Sequence, residues 1–107
     1  MRYIQRMRDI AREELIAELL ALRPEFERRG VLHASLFGSR ARGDHRPDSD
    51  IDLLIQVDES RTVSLLDLAG VYGAIEDRLG LPSSLVESDG LDEPFMRRVA
   101  RDQIPIF

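Results

Sequence analysis

Apolar residues at Ile4, Met7, Ala11, Leu15, Leu19, Leu22 and Phe26 recur three or four positions apart, which lines them along one side of an amphipathic helix. Pro24 is expected to end or kink that helix, with a short continuation to Arg29 and Gly30 as the residue after its C-terminus. The period then changes. "VLHASLF" (Val31 to Phe37) reads as a strand closed by Gly38. "SRARGDHRPDS" has the polar and turn residues of a connection, opening with one helical turn at Ser39. "DIDLLIQV" (Asp50 to Val57) is the second strand. After the loop "DESRT", Ser64 and Asp67 form a capping box that starts a helix over Leu65 to Leu79, with Leu68, Tyr72, Ile75 and Leu79 as its apolar stripe and Gly80 as its stop. "SSLV" (Ser83 to Val86) is a short third strand. Asp92 caps a last helix that turns Phe95, Met96 and Val99 inward and Arg97, Arg98 and Arg101 outward. "IPIF" closes the chain, and burial in the core is its ordinary fate.

Strands interleaved with helices predict an α/β or α+β fold, a small mixed β-sheet with helices packed on it. The connection between the first two strands is about a dozen residues, enough for one or two helical turns and too short for a Rossmann crossover. At 107 residues, with no internal repeat or linker, a single domain over 1–107 is expected.

Composition changes the picture in a few places. An apolar content of 43% supports a real core. No apolar run approaches the roughly 18 residues of a membrane span, so no membrane partner is expected. "MRYIQRMRDIAREEL" has neither the apolar stretch nor the cleavage site of a secretory signal. The absence of cysteine removes disulfide and thiolate chemistry, and a cytoplasmic location is the default expectation. A net charge of −5 argues against nonspecific nucleic-acid binding, so nucleic acid is not expected as a direct partner. All basic residues are arginine, which coding-sequence composition explains better than selection for phosphate binding.

The chemistry gathers between Gly38 and Asp52. A glycine after a buried strand lets backbone approach a ligand closely. If Ser39 begins a helical turn, its first N–H groups favour an anion such as a triphosphate, and the serine hydroxyl adds a donor. A plain turn also explains Gly-Ser. Asp50 and Asp52, two apart on a strand, share a face with Cα atoms roughly 7 Å apart. Leu53 and Ile55 take the opposite face, and Leu54 continues the aspartate row. Two carboxylates so placed repel each other unless a cation or an arginine stands between them. Mg²⁺ suits such a pair, because it commonly binds one or two carboxylates together with substrate phosphates. An Asp–Arg ion pair, or a cap at the start of the strand, is the competing reading. His33 and His45 have no partner at metal-site spacing.

Gly38-Ser39, ten intervening residues, then Asp50-Ile51-Asp52 resembles the signature of the DNA polymerase β-type nucleotidyltransferase superfamily. More narrowly, "GSRARGDHRPDSDIDLLI" is similar to the minimal nucleotidyltransferases (MNT proteins), with their GS-x-ARG segment followed by SD-x-DL. The similarity extends to "LRPEFERRGV", "VSLLDLAGVYGAIEDRLG" and "RRVARDQIPIF", which is nearly the whole chain. The resemblance implies a polymerase β-like fold, nucleotide binding by Gly38 and Ser39, and divalent metal on Asp50 and Asp52 as the catalytic carboxylates. Arg42 matches the ARG segment, where it either touches phosphate or ties the loop to a carboxylate. Arg40 falls at a variable position of the motif and carries little weight.

The same resemblance implies a third aspartate on a later strand, and here "SSLVESDGL" places Ser84 at that position. A serine cannot deprotonate an attacking hydroxyl. Glu87 would substitute only if a bulge or strand end after Val86 turned it to the Ser84 side. The implied function is that of an MNT antitoxin: AMP transfer from Mg-ATP to a tyrosine of a partner HEPN ribonuclease toxin, with activity in question at Ser84. The alternative is a nonenzymatic antitoxin with a relic nucleotide pocket. A small-molecule nucleotidyltransferase is a weaker third reading.

Overall fold

The computed structural model describes residues 10–107. Ile4 and Met7 of the predicted first helix lie outside the described residues. Helix α1 (Arg12–Ala21) begins after Ala11, which is extended and exposed rather than part of the buried stripe. Leu22 closes α1 and opens α2 (Arg23–Arg28), with Pro24 in the first turn of α2. Proline has no N–H and its ring crowds the carbonyl four residues back, so the helix breaks at Leu22 and restarts at Arg23 with Pro24 in its first turn. Leu15, Leu19 and Phe26 are buried as their spacing requires.

Strand β1 (Val31–Phe37) leads through α3 (Ser39–Arg42), a single turn, to β2 (Ile51–Val57). Helix α4 (Leu65–Leu79), β3 (Ser83–Glu87), α5 (Glu93–Asp102) and β4 (Ile104–Pro105) follow. The sheet order is β3-β2-β1-β4. The β1–β2 and β1–β4 pairs are antiparallel and β2–β3 is parallel, making the mixed sheet that the interleaved pattern predicts.

Strand β1 does not alternate strictly. The register slips between Val31 and His33, so Val31 and Ala34 are both buried although three residues apart. A bulge inserts one residue and restores the inward phase for Ala34 and Leu36. Ile51, Leu53 and Ile55 join them on the inner face, where Leu15, Leu19, Phe26, Val71 and Ile75 complete the core. The chain end returns to this core. Ile106 N–H donates to Ala34 O at 2.8 Å, and the Phe107 ring meets Phe26 edge-on at 5.6 Å. The other sheet face carries Asp52, and α5 packs there through Phe95, whose ring meets Phe37 edge-on at 6.0 Å.

The capping box of α4 forms: Asp67 N–H donates to Ser64 Oγ at 3.2 Å and Ser64 N–H to Asp67 Oδ2 at 3.0 Å. Its inward stripe runs through Val71 and Ile75, while Tyr72 lies to one side, 39% exposed. The Tyr72 hydroxyl accepts the Leu85 N–H at 3.2 Å, which satisfies an amide on edge strand β3. Among the described residues no helix is long and apolar enough to cross a membrane.

Since the Ser64 hydroxyl satisfies the Asp67 N–H, which the first turn of α4 cannot, Ser64→Ala is expected to cost about 1 kcal/mol of stability. Urea unfolding checks this as a lowered midpoint with an unchanged slope.

Candidate active site

Gly38 leaves β1 with φ 76°, a left-handed conformation suited to glycine. Its carbonyl accepts the N–H groups of Ala41 and Arg42, each at 3.1 Å, which winds the turn of α3. Gly43 (φ 86°) ends it. A second constraint acts on Gly38: any Cβ there would collide with Asp52 Oδ2 and sit 3.2 Å from Asp52 Cγ. The Gly-Ser turn therefore lies directly against the second aspartate. Two motif halves separated by ten residues become one site through β1–β2 pairing, in which Phe37 stands opposite Asp52.

Asp50 precedes β2 and is exposed; Asp52 is half-buried. Burial pushes the Asp52 carboxyl up from its ordinary range, the negative charge of Asp50 pushes the same way, and Arg42 acts weakly against both. Among the described residues neither aspartate forms an arginine ion pair, so the competing Asp–Arg reading finds no support. Nor does any group of three or more metal-ligating side chains occur among them. A site with two carboxylates suits a hard cation that completes its oxygen shell from phosphate and water. His33 and His45 join no such group.

The parallel register puts Ser84 directly beside Asp52, at the position expected of the third carboxylate. Strand β3 continues to Glu87 without a slip in register, so Glu87 faces away from Ser84 and Asp52. The bulge that would have turned Glu87 into the site is not there.

Arg42 ties the loop to carboxylates. Its Nε donates to Asp44 Oδ2 at 3.1 Å and its Nη1 to Asp102 Oδ2 at 3.2 Å. These two carboxylates, Asp44 first, raise its pKa further. A groove of about 500 Å³ opens beside Gly38, with Phe37, Phe95 and Val99 as its apolar lining and Arg42 and Arg101 among its polar residues. Arg98 lies over the Phe95 ring at 5.7 Å.

Arg40 was undervalued by sequence reasoning. It is 1% exposed and donates to three main-chain carbonyls of the segment that leads to Asp50. Because those partners are backbone atoms, no spacing of side chains along the sequence announces them.

Residues 19–107 match the nucleotidyltransferase domain family. The chain is 34% identical to the protein adenylyltransferase MntA of Thermococcus cleftensis, over 86% of this chain and 92% of that protein. It superposes with a TM-score of 0.74 on a solved structure assigned as a minimal nucleotidyltransferase, at 38% identity, covering 90% of this chain and 96% of that one. It also shares its fold, at TM-score 0.62 and 14% identity, with a chain of a Shewanella oneidensis complex between a tri-AMPylated HEPN toxin and an MNT antitoxin. That alignment covers 90% of this chain and 71% of the other.

The raised Asp52 pKa has a consequence for folding. Its ionised form is disfavoured in the folded state, so it destabilises the protein above the ordinary aspartate range, and the penalty fades as pH falls into that range. Asp52→Asn is therefore expected to be more stable than the parent at neutral pH in EDTA. Thermal melting at pH 7 and at pH 4 checks this, with the advantage shrinking at the lower pH. Adding Mg²⁺ should stabilise the parent and leave Asp52→Asn unmoved.

Proposed function

The chain belongs to the nucleotidyltransferase domain family, and from that premise we propose that it is an antitoxin that transfers AMP from ATP to a tyrosine hydroxyl of a partner HEPN ribonuclease. The observation that supports this reading is the contact of Gly38 with Asp52, which brings the Gly-Ser turn beside the second of the two aspartates. Support for the acceptor class comes from the relatives: one is a protein adenylyltransferase, and one fold neighbour stands in complex with an AMPylated HEPN toxin. An acidic chain also suits a protein acceptor better than a nucleic acid. The reaction would take place in the cytoplasm, where ATP and Mg²⁺ are abundant.

Each group has a role. The Ser39 hydroxyl and the first N–H groups of α3 meet the triphosphate, and Gly38 gives them close approach. Arg42 exchanges Asp102 for phosphate charge when nucleotide arrives. The groove edged by Phe37 and Phe95 offers the nucleoside an apolar wall. Asp50 and Asp52 would hold Mg²⁺, whose charge would offset that of the phosphates when bound. The acceptor oxygen bonds to the α-phosphorus, the bond to the bridging oxygen of pyrophosphate breaks, and pyrophosphate leaves. The acceptor's proton passes to water, because Ser84 is no base for a phenol whose pKa is near 10.

Ser84 also favours a second reading, in which the protein neutralises its partner by binding alone and the nucleotide pocket is a relic. The two part on one measurement: intact mass of the cognate toxin after incubation with the protein, ATP and Mg²⁺. The transferase adds one or more AMP units, and the addition disappears with Asp52→Ala. Restoring a carboxylate with Ser84→Asp is expected to accelerate transfer by roughly a hundredfold or more, the ordinary contribution of a positioned base. Protection of the toxin's target RNA without ATP, and with no mass gain from either the parent or Ser84→Asp, would favour the binder.

A further inference from the structure

We infer that Arg40 is the positioning residue of the aspartate pair, joining the phosphate turn to the carboxylates through a buried guanidinium; the inference rests on the proposed nucleotide-and-metal reading of the site. Among the described residues Arg40 is the one buried charged side chain. Its Nε donates to Ser49 O at 3.0 Å, and its Nη2 donates to Pro47 O at 3.0 Å and Arg46 O at 3.4 Å. The turn it grips is closed from within as well. Ser49 N–H donates to Arg46 O at 3.0 Å and Arg46 N–H to Ser49 Oγ at 2.8 Å.

The consequence falls on Asp50, the next residue. Its preceding carbonyl, Ser49 O, is held by Arg40, and its following amide, Ile51 N–H, is held by Pro82 O at 2.9 Å. The first aspartate is thus exposed and yet fixed at both flanking peptides. Arg40 itself stands beside Ser39 in α3, so movement of the phosphate turn and movement of the dyad are mechanically linked.

Packing alone does not explain an arginine here. Burying a cation costs several kcal/mol in desolvation, and an apolar side chain of similar volume usually serves packing as well or better. The planar fork of arginine does what such a side chain cannot: it presents donors at fixed angles to several carbonyls at once. Lysine, a point charge, would reach fewer of them.

The test uses the full chain with Arg40→Met and Arg40→Lys, reading Mn²⁺ affinity by electron paramagnetic resonance and amide hydrogen exchange by NMR. In Arg40→Met, Mn²⁺ affinity is expected to fall by roughly tenfold to a hundredfold, as for other groups that orient metal ligands. Exchange should accelerate at the bonded amides of Ser49 and Ile51 while those of Val71 and Ile75 stay protected. Arg40→Lys should recover part of both. A folded Arg40→Met with parental Mn²⁺ affinity overturns the inference. If Arg40→Met fails to fold, Arg40→Lys decides by the same two readings: loss confined to the turn supports positioning, and parental behaviour overturns it. Failure of the parent to bind Mn²⁺ would instead count against the metal reading, and exchange would then decide on Arg40 alone, unchanged rates at Ser49 and Ile51 overturning the clamp.

Discussion

The close approach of Gly38 to Asp52 is the constraint on which the rest of the site depends. Antiparallel pairing of β1 with β2 brings the end of one strand beside the start of the other, and the left-handed backbone of Gly38 together with the Asp52 carboxylate against it disfavours any side chain there. Everything between these strands accommodates that contact. The chain has the residues from Ser39 to Asp50 in which to leave Gly38 and return, and it uses four of them for α3 and then a turn held by hydrogen bonds to Arg40. A looser connection would satisfy the sheet equally well and would leave the two halves of the site unrelated.

Electrostatics then sort the arginines by role. Arg40 is buried against carbonyl dipoles and acts through the backbone. Arg42 lies at the surface, shared between Asp44 and Asp102, where water and salt weaken the attraction. Neither forms an ion pair with Asp50 or Asp52, and the charge of Arg42 offsets only part of the rise at Asp52. Asp52 is left partly desolvated beside a like charge, a state that a cation relieves and that folding alone does not favour. Local instability of this kind is expected where a site is shaped for a ligand and not for the apo fold.

Much of this was legible in the sequence, for identifiable reasons. The strand at Val31–Phe37, the capped helix at Leu65–Leu79 and the final helix after Asp92 announce themselves through alternation, a capping box and an amphipathic stripe, all local signals. The Gly-Ser turn and the paired aspartates were legible because their spacing is constrained by the contact they make. What escaped was set by tertiary structure. Val71 displaces Tyr72 from the inward stripe because β3 offers that hydroxyl an amide at the sheet edge. The bulge near Leu32 leaves no mark in the residue pattern. Arg40 escaped because its bonds to Arg46, Pro47 and Ser49 go to main-chain oxygens, which every residue carries.

Ser84 shows how far fold and chemistry can separate. The parallel register of β2 and β3 delivers position 84 to the side of Asp52 whatever residue stands there, because the ladder is set by backbone bonds and by Leu53 and Leu85 facing the same core. The same regularity that keeps Ser84 in place keeps Glu87 out, since a strand without a bulge cannot turn an odd-numbered neighbour to the even face. In the proposed function, metal and nucleotide recognition would draw on Gly38, Ser39, Asp50 and Asp52, all supplied before β3 begins. A carboxylate base for the acceptor would have to stand at position 84, where the chain has serine and the proton would pass to water. The proposed binding and transfer would thus rest on different strands of one sheet, and a single residue on the edge strand would weaken the second without touching the first.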